Sequence, residues 1–301
     1  MEFKQLESFV AVARKKSFSK AADILFMSQP AVTSNVQKLE SELGVTLIDR
    51  KSKNISLTEG GKLFYRYAVE ILNTCAKAEY SLGEYKKNIE GMLEICASTI
   101  PEQYLLPHIV KAFKAIYPHV TFTVRHQDSK AVVEGILAGR INFGFIGAKY
   151  PSRTLKYIDF YDDRMVLITS PQKEYTADPV GIGSLAGEDI VLREEGSGTR
   201  LLLEKALRER KLDLSLFRSQ TINESLEAIK KMVALDVGIS FISDVAVKND
   251  VAAGLLKKYD VEDLNLKRHF SFVYCNDRCL SPLEDKFKNF VAAWKWDEVD
   301  I

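Results

Sequence analysis

The periodicity of the chain changes near Gly91, and this change limits the folds that the sequence can adopt. Before Gly91, apolar side chains recur at helical spacing, whereas strand-like runs alternate with helical stretches after it. Strands that alternate with helices predict an α/β fold with parallel sheets. We therefore expect a helical N-terminal module and a larger α/β part, and 301 residues suffice for two or three cores.

The composition is that of an ordinary globular protein, with 46% hydrophobic and 28% charged residues. No apolar run is as long as a membrane span, so no membrane partner is expected. The N-terminus has an acidic second residue and no long apolar region, which argues against a signal peptide and favours a cytoplasmic location. The cysteines are then expected to be thiols, namely Cys75, Cys96, Cys275 and Cys279.

Basic residues are in excess only at the N-terminus. Residues 1–58 hold nine Lys or Arg against six Asp or Glu, residues 59–90 hold five of each, and the remainder holds 28 against 30. This distribution fits a polyanionic partner for the N-terminal module alone. A merely solvated surface would explain so small an excess equally well.

Three helices and a tight turn are predicted in the first 44 residues. Ser19 is expected to cap a short second helix, and FMS forms a turn. Ser28 is a good N-cap for the third helix, Pro30 suits its first turn, and Gly44 is a C-cap signal. The buried stripe of this third helix is predicted to be Val32, Val36 and Leu39.

The opposite face of the third helix carries short hydroxyl and amide side chains, which reach base edges and phosphates. A solvated helix face has a similar composition. The following stretch adds basic residues next to strand-like ones, as in a wing along the phosphate backbone. The candidate DNA-binding residues are Ser28, Gln29, Pro30, Thr33, Ser34, Gln37, Lys38, Arg50, Lys51 and Lys53.

The order FVAVARKKSFSKAADILFMSQPAVTSNVQKLESELGVTLIDR…LTEGG closely resembles the winged helix-turn-helix of LysR-type transcriptional regulators. The resemblance covers residues 1–61 and implies double-stranded DNA as a partner, with a pseudo-palindromic operator for a dimer. Ile48 stands where the family often has Phe. Lys53 stands where Arg is frequent, so a point charge replaces a bidentate phosphate contact. The resemblance also implies a tetramer that bends DNA, and RNA polymerase is a further partner if the protein is an activator.

Thr58 is expected to cap a linker helix that continues to about Lys87 within residues 59–88. Its apolar residues follow an a/d seam of three heptads: Phe64, Ala68, Ile71, Cys75, Ala78, Leu82 and Tyr85. A helix packed on its own domain would show the same pattern. The resemblance implies that this helix pairs two subunits.

The resemblance also implies that residues 89–301 form an effector-binding domain of periplasmic-binding-protein type, following a DNA-binding domain at 1–58. Subdomain 1 is expected at about 91–161 and 268–301, and subdomain 2 at about 162–267. The chain is predicted to cross near 160–164. The strand candidates are MLEICAS, VTFTVRH, NFGFIG, LKYIDFY, RMVLITS, DIVLREE, GISFIS and HFSFVYC.

Four strand-to-helix joints carry hydroxyls or amides, and ligands of α/β sheets lie at such joints. In REEGSGTR, Gly196 and Gly198 let the backbone approach a ligand, while Ser197 and Thr199 supply hydroxyl donors. Ordinary N-caps use the same residue types. The candidate effector-binding residues at these joints are Ser98, Thr99, Gln127, Ser129, Ser197, Thr199 and Asn223, and the resemblance to a branch of the family, given next, implies Gln103 as a further one.

Two of these joints, STIPEQYLLP and REEGSGTR, resemble the family branch that regulates sulfur, cysteine or selenium metabolism. This implies a small anion or zwitterion as effector, such as a sulfur oxyanion or an acetylated serine derivative, and an organic acid is the alternative. Glu102 stands where that branch commonly has Gly. Its carboxylate either repels an oxyanion or closes a capping box with Thr99, which we favour. Glu194 and Glu195 also argue against an anion.

Catalytic and metal-binding patterns are lacking in the sequence. EGSG lacks the first glycine of a hydrolase elbow, and the adjacent acidic pairs at 162–163 and 194–195 would point to opposite faces of a strand. Cys275 and Cys279, with His269 nearby, could in principle ligate zinc, but their loose spacing favours buried or surface thiols. Peroxide-sensing members of the resembled family need a reactive cysteine pair in the second subdomain. The predicted second subdomain has no cysteine, so this mechanism is not expected. We expect no enzymatic activity, cofactor or metal, and an α/β enzyme with a DNA-binding head is the remote alternative.

Overall fold

The computed structural model describes residues 1–50, 55–85, 89–276, 278 and 280–296. Its helices are α1 (Phe3–Lys15), α2 (Phe18–Leu25), α3 (Gln29–Leu43), α4 (Glu59–Tyr85), α5 (Leu106–Ile116), α6 (Ser129–Leu137), α7 (Gly198–Glu209), α8 (Leu226–Ala234), α9 (Lys248–Ala252) and α10 (Pro282–Ala293). Its strands are β1 (Ile48–Asp49), β2 (Ser56–Leu57), β3 (Glu90–Ala97), β4 (His119–His126), β5 (Phe143–Ile146), β6 (Leu155–Thr169), β7 (Asp189–Leu192), β8 (Ser219–Ile222), β9 (Ser240–Ser243), β10 (Lys257–Tyr259) and β11 (Lys267–Cys275). None of the described helices is both long enough and apolar enough to cross a bilayer.

The N-terminal module is a three-helix unit with a short two-stranded wing, β1 paired antiparallel with β2. Ser17, and not Ser19, caps α2, because Ser17 precedes the first helical residue and its hydroxyl accepts from the N–H of Lys20. The predicted caps of α3 are confirmed: the hydroxyl of Ser28 accepts from a first-turn N–H, and Gly44 ends the helix at a φ of 64°. The predicted buried stripe is confirmed as well, at Val32, Val36 and Leu39.

Thr58 precedes α4 and caps it, since its hydroxyl accepts from the N–H of Gly61 at 2.9 Å. A Cβ atom at Gly61 would collide with the carbonyl oxygen of Leu47. Glycine is therefore needed there for α4 to lie directly against the wing.

The first half of the predicted a/d seam packs on the helix's own domain. Phe64, Ala68 and Ile71 join the core formed by α1, α2 and α3, and Ala68 is fully buried. Cys75 is partly exposed and Ala78 is exposed. Intramolecular packing thus accounts for the first half of the pattern. The side chains of the last two seam positions lie outside the described residues, namely Leu82 and Tyr85.

The C-terminal part has the predicted α/β class, but its sheets are mixed rather than parallel. One sheet path runs β10-β6-β11-β5-β3-β4, with β9 also paired to β6. Strand β3 is parallel to β4 and β5, and β7 is parallel to β8, whereas β11 is antiparallel to both β5 and β6. The prediction of parallel sheets is wrong at β6 and β11. Strand β6 carries the chain from the first subdomain to the second, and β11 brings it back in the opposite direction.

Strand β6 is one continuous strand of 15 residues rather than two runs. Its residues 155–164 pair with β11, and residues 165–168 pair with β9, so the change of partner follows directly after the predicted crossover at 160–164. Strands β8 and β10 are additional to the predicted set. Their sequences, SQTI and KKY, lack the apolar run that predicts a strand.

Each subdomain is built around apolar side chains from both its sheet and its helices. One cluster contains phenylalanines from β5, β11 and α10, including Phe143, Phe272 and Phe287. A second cluster joins β6, α7 and β9 through side chains such as Leu167, Leu203 and Phe241. The polar residues at the strand ends between these two clusters are thereby held by rigid elements.

Candidate functional site

The predicted DNA-binding face of α3 is largely accessible. Its exposed members are Ser28, Gln29, Pro30, Gln37 and Lys38, while Thr33 and Ser34 are half-buried. The hydroxyl of Thr33 donates to the carbonyl oxygen of Gln29 at 3.0 Å, and Ser19 lies 3.4 Å from the Gln29 side-chain oxygen. The amide of Gln29 is thus oriented by a neighbouring helix while remaining open to a partner.

Glu40 connects α3 to the wing. One of its carboxylate oxygens accepts from the N–H groups of Leu47 and Ile48, and the other lies 2.9 Å from Nη2 of Arg50. The guanidinium of Arg50 also lies 5.3 Å from the ring centre of Phe18. These contacts fix one basic side chain at the wing. The other two predicted wing residues lie outside the described residues, namely Lys51 and Lys53.

A small cleft lies where three of the four predicted strand-to-helix joints converge. Five predicted residues line it: Ser98, Thr99, Ser129, Ser197 and Thr199. All five are buried, with exposures of 8% or less. Hydroxyl groups from both subdomains therefore face one cavity.

The other three predicted residues lie outside the lining of this cleft. Gln103 is exposed on a π-helical turn that precedes α5. Gln127 is half-buried, and its side-chain oxygen has no partner among the described residues. Asn223 accepts from the N–H of Ser225 at 2.8 Å and so shapes the start of α8. This fourth joint is an ordinary helix start.

Two buried arginines complete the cleft, and neither is among the residues predicted from the sequence. The side chain of Arg193 is 4% exposed and donates to the hydroxyl of Thr99 at 3.0 Å. It also makes two hydrogen bonds of 2.8 Å to the carboxylate of Glu194. The carboxylate of Glu194 is therefore paired with its neighbour, which offsets its negative charge beside the cleft.

The second arginine, Arg268, lies on β11 at the crossing between the subdomains. Its Nε donates to Asp163 at 2.7 Å, and its Nη1 donates to the hydroxyl of Thr199 at 3.2 Å. Asp163 also accepts from Ser243 at 2.6 Å, and the guanidinium carbon lies 4.6 Å from the ring centre of Phe270. The remaining nitrogen, Nη2, is buried without a hydrogen-bond partner among the described residues.

Glu102 is not part of a capping box with Thr99, and that prediction is wrong. Its carboxylate lies 2.5 Å from Nδ1 of His126, at the end of the neighbouring strand β4. The physical reason is local, since residues 101–105 form a π-helical turn rather than the first turn of an α-helix. Thr99 instead accepts from Arg193, so its hydroxyl belongs to the cleft.

The two walls of the cleft meet closely at the GSG segment. A Cβ atom at Gly198 would lie 3.0 Å from the carbonyl carbon of Gly147, and Gly196 has a φ of 92°. The hydroxyl of Tyr150 donates to the carbonyl oxygen of Gly196 at 3.4 Å. Burial raises the pKa of Tyr150, so this hydroxyl keeps its proton at neutral pH.

Within the described residues, no group of three or more His, Cys, Asp or Glu side chains is placed to hold a metal ion. Cys75, Cys96 and Cys275 are free thiols, and burial raises the pKa of Cys96. A buried thiol of raised pKa is a weak nucleophile. Cys279 lies outside the described residues.

The chain is similar to known transcriptional regulators along most of its length. A "Probable RuBisCO transcriptional regulator" of Emiliania huxleyi is 30% identical over 277 residues, covering 89% of this chain and 87% of the relative. A full-length OxyR variant from Pseudomonas aeruginosa matches with a TM-score of 0.73 at 19% identity, covering 97% of this chain and 95% of that chain.

A second similar structure is the regulatory domain of CcmR from Synechocystis PCC6803 in complex with 2-PG. It matches with a TM-score of 0.61 at 23% identity, covering 68% of this chain and 97% of that domain. At such identities the two structures show the shared fold.

Two family models match the chain and divide it as the structure does. The model for the bacterial regulatory helix-turn-helix protein of the lysR family matches residues 3–62. The model for the LysR substrate binding domain matches residues 86–295, which is more than half of the chain. The chain therefore belongs to the LysR family of DNA-binding transcriptional regulators, with a helix-turn-helix domain followed by an effector-binding domain.

Proposed function

We propose that this regulator binds a small anion in the cleft between its two subdomains, and that binding changes how its DNA-binding domains are placed. The observation that carries the proposal is the buried, unpartnered Nη2 of Arg268 in the wall of the cleft, unpartnered among the residues that the structure describes. An unsatisfied buried donor on a charged group is costly, and an anionic oxygen is the acceptor that suits it best.

The hydroxyls of the cleft are arranged as donors. Thr99 accepts from Arg193, and Thr199 accepts from Arg268, so each hydroxyl proton is free to point at a ligand. The N-terminus of α7 begins at Gly198 and adds unpaired N–H groups with the positive end of the helix dipole. Hydrogen-bond donors of three kinds thus converge from both subdomains: arginine side chains, hydroxyl groups and backbone N–H groups.

The acidic side chains near the cleft are engaged by other groups. Glu194 is held by Arg193, Asp163 by Arg268 and Ser243, and Asp128 accepts from the N–H of Ala131 as the cap of α6. Their charges are offset locally, and the donors that remain for an incoming anion are Nη2 of Arg268, the hydroxyl protons and the N–H groups at the start of α7. The ligand-facing residues that we propose are Ser98, Thr99, Ser129, Arg193, Ser197, Thr199 and Arg268.

The size of the cleft favours a ligand of few atoms. The effector class that we propose is therefore a sulfur oxyanion or an acetylated serine derivative, and a short organic acid is the alternative. The similar CcmR domain is described in complex with 2-PG. In this chain, the anionic oxygens of such a ligand would accept from Arg268 and from the hydroxyls of Thr99 and Thr199.

Thermal unfolding of the full chain with sulfate, thiosulfate, O-acetylserine, 2-PG and simple dicarboxylates tests the proposal. Saturation at 100 times the dissociation constant adds about 2.7 kcal/mol, which raises the unfolding temperature by several degrees. Thr199→Ala should abolish the shift, whereas Thr176→Ala, at an exposed loop position, should retain it. If none of these anions shifts the wild-type protein, the anion proposal is wrong.

The assembly that we propose is a dimer through the second half of α4, and a tetramer that contacts a pseudo-palindromic operator and bends the DNA. Residues 1–58, 59–88 and 89–301 would then be the DNA-binding, linker and effector-binding parts, acting in the cytoplasm without enzymatic activity. An activator would also contact RNA polymerase. Sedimentation of the full chain with and without operator DNA measures the assembly, and a monomer on DNA would contradict it.

A further inference from the structure

Phe26 combines two features that a folded domain normally avoids. It is 97% exposed, the highest value among the large apolar residues that the structure describes. Its backbone is left-handed, with a φ of 52° and a ψ of 42°, at the end of α2. Bulky side chains crowd the backbone in this conformation, which glycine and asparagine adopt more readily. Neither packing nor backbone geometry therefore favours phenylalanine at this position.

The position of Phe26 links it to the proposed DNA surface. It lies two residues before Ser28, so its Cα is within about 8 Å of the Cα of Ser28. Ser28, Gln29 and Pro30 are exposed at the start of α3. The N-terminal residues of the second helix in a helix-turn-helix contact base edges in the major groove. The ring of Phe26 is thus continuous with the surface that would enter the groove.

We propose that Phe26 contacts the 5-methyl group of a thymine in the major groove of the operator. This inference rests on the prediction from the sequence that the exposed face of α3 binds DNA, with α3 placed in that groove. The edges of the bases are polar there except for the thymine methyl, which is the group that an aromatic ring recognises by apolar contact. Contact with DNA removes both the ring and the methyl group from water, which offsets the exposure of the ring in the free protein.

The test uses the full chain and an operator selected from a random DNA pool by the wild-type protein. Phe26→Ala removes the ring, and Phe26→Asn removes it while suiting the left-handed backbone. Phe3→Ala is the matched control, because Phe3 is 49% exposed at the start of α1. Each protein is titrated against the operator and against copies in which deoxyuridine replaces single thymines.

Wild-type protein should lose affinity about fourfold for each contacted methyl group that deoxyuridine removes. Phe26→Ala should bind the normal operator about 15-fold more weakly, since both subunits of a dimer lose the contact, and should be insensitive to deoxyuridine. Phe3→Ala should behave as wild type. Phe26→Asn should weaken operator binding while its unfolding temperature stays equal to that of wild type or rises.

Three results would overturn the inference. Phe26→Ala could bind the operator as wild type does, or remain as sensitive to deoxyuridine as wild type. A fall of operator affinity together with unfolding temperature in Phe26→Asn would indicate a structural role. Failure of the predicted DNA-binding face of α3 is distinguishable, because Gln29→Ala would then discriminate the operator from mismatched sites as wild type does.

Discussion

The two functional regions of this regulator differ in how the chain builds them. The proposed DNA surface comes from one helix and its flanking turn and wing, within a few tens of residues. The cleft joins groups that are far apart in sequence, such as Thr99 with Arg193 and Thr199 with Arg268. A surface made by one helix can be predicted from periodicity and caps, whereas a cleft depends on which strands cross.

The largest expected effect concerns the cleft. Asp163→Ala removes the partner of a buried arginine and leaves an uncompensated charge, so the effector-binding domain should lose about 3–5 kcal/mol of stability. Its neighbour Asp162 is 90% exposed, and Asp162→Ala should change stability by less than about 0.5 kcal/mol. Calorimetry of the full chain measures both, and equal losses would show that Arg268 is not held as described.

This ion pair also shows where prediction from sequence ends. Thr99 and Thr199 follow strand candidates, so their place at a sheet edge could be inferred. Arg268 lies within a strand, where an arginine is expected to face solvent. Its burial arises only because β11 returns beside β6 and places it opposite Asp163. The return of β11 beside β6 thus explains both the mixed strand directions of the sheet and the burial of this arginine.

Helix caps and hydrophobic periodicity predicted the N-terminal domain more accurately than the cleft. The caps at Ser28 and Gly44 and the buried stripe of α3 were predictable because they depend on neighbours within a few residues. The cap of α2 was misplaced by two residues, since Ser17 and Ser19 are equally suitable in sequence. The left-handed residue Phe26 has no sequence signal, because phenylalanine does not predict that conformation.

The second-largest effect is expected when the contact between α4 and the wing is broken. Gly61→Ala places a methyl group against the backbone of Leu47, which cannot yield as a side chain can, so we expect a loss of about 3 kcal/mol. In Gly60→Ala the one contact closer than van der Waals distance is to a side-chain methyl of Val45, at 2.8 Å, so this variant should cost about 1 kcal/mol or less. Thermal unfolding of the two variants gives the difference, and identical values would contradict the described approach of α4.

A smaller effect separates two kinds of contact within the DNA surface. Gln29→Ala should reduce discrimination between the operator and a mismatched site by about 1–3 kcal/mol, as expected for loss of a base contact. Lys38→Ala should weaken binding to all DNA alike and lower the slope of log affinity against log salt by about 1. Fluorescence titrations at several salt concentrations measure both. Exchange of the two phenotypes would mean that the face of α3 is rotated from the proposed one.

The smallest effect lies at the edge of subdomain 2 and depends on pH. Hydrogen bonds from Arg218 and then Ser219 lower the pKa of Asp189 to about 2. The unfolded value is near 3.9, so this carboxylate stabilises the fold fully above about pH 4, and the contribution is lost as pH falls towards 2. The difference in unfolding temperature between wild type and Asp189→Asn should therefore shrink over that interval. A difference that is constant from about pH 6 to about pH 2.5 would show that the carboxylate is not held by Arg218. Because Asp189 lies outside the cleft lining, ligand affinity at neutral pH should be the same in both proteins, which distinguishes this edge contact from the Arg268 pair.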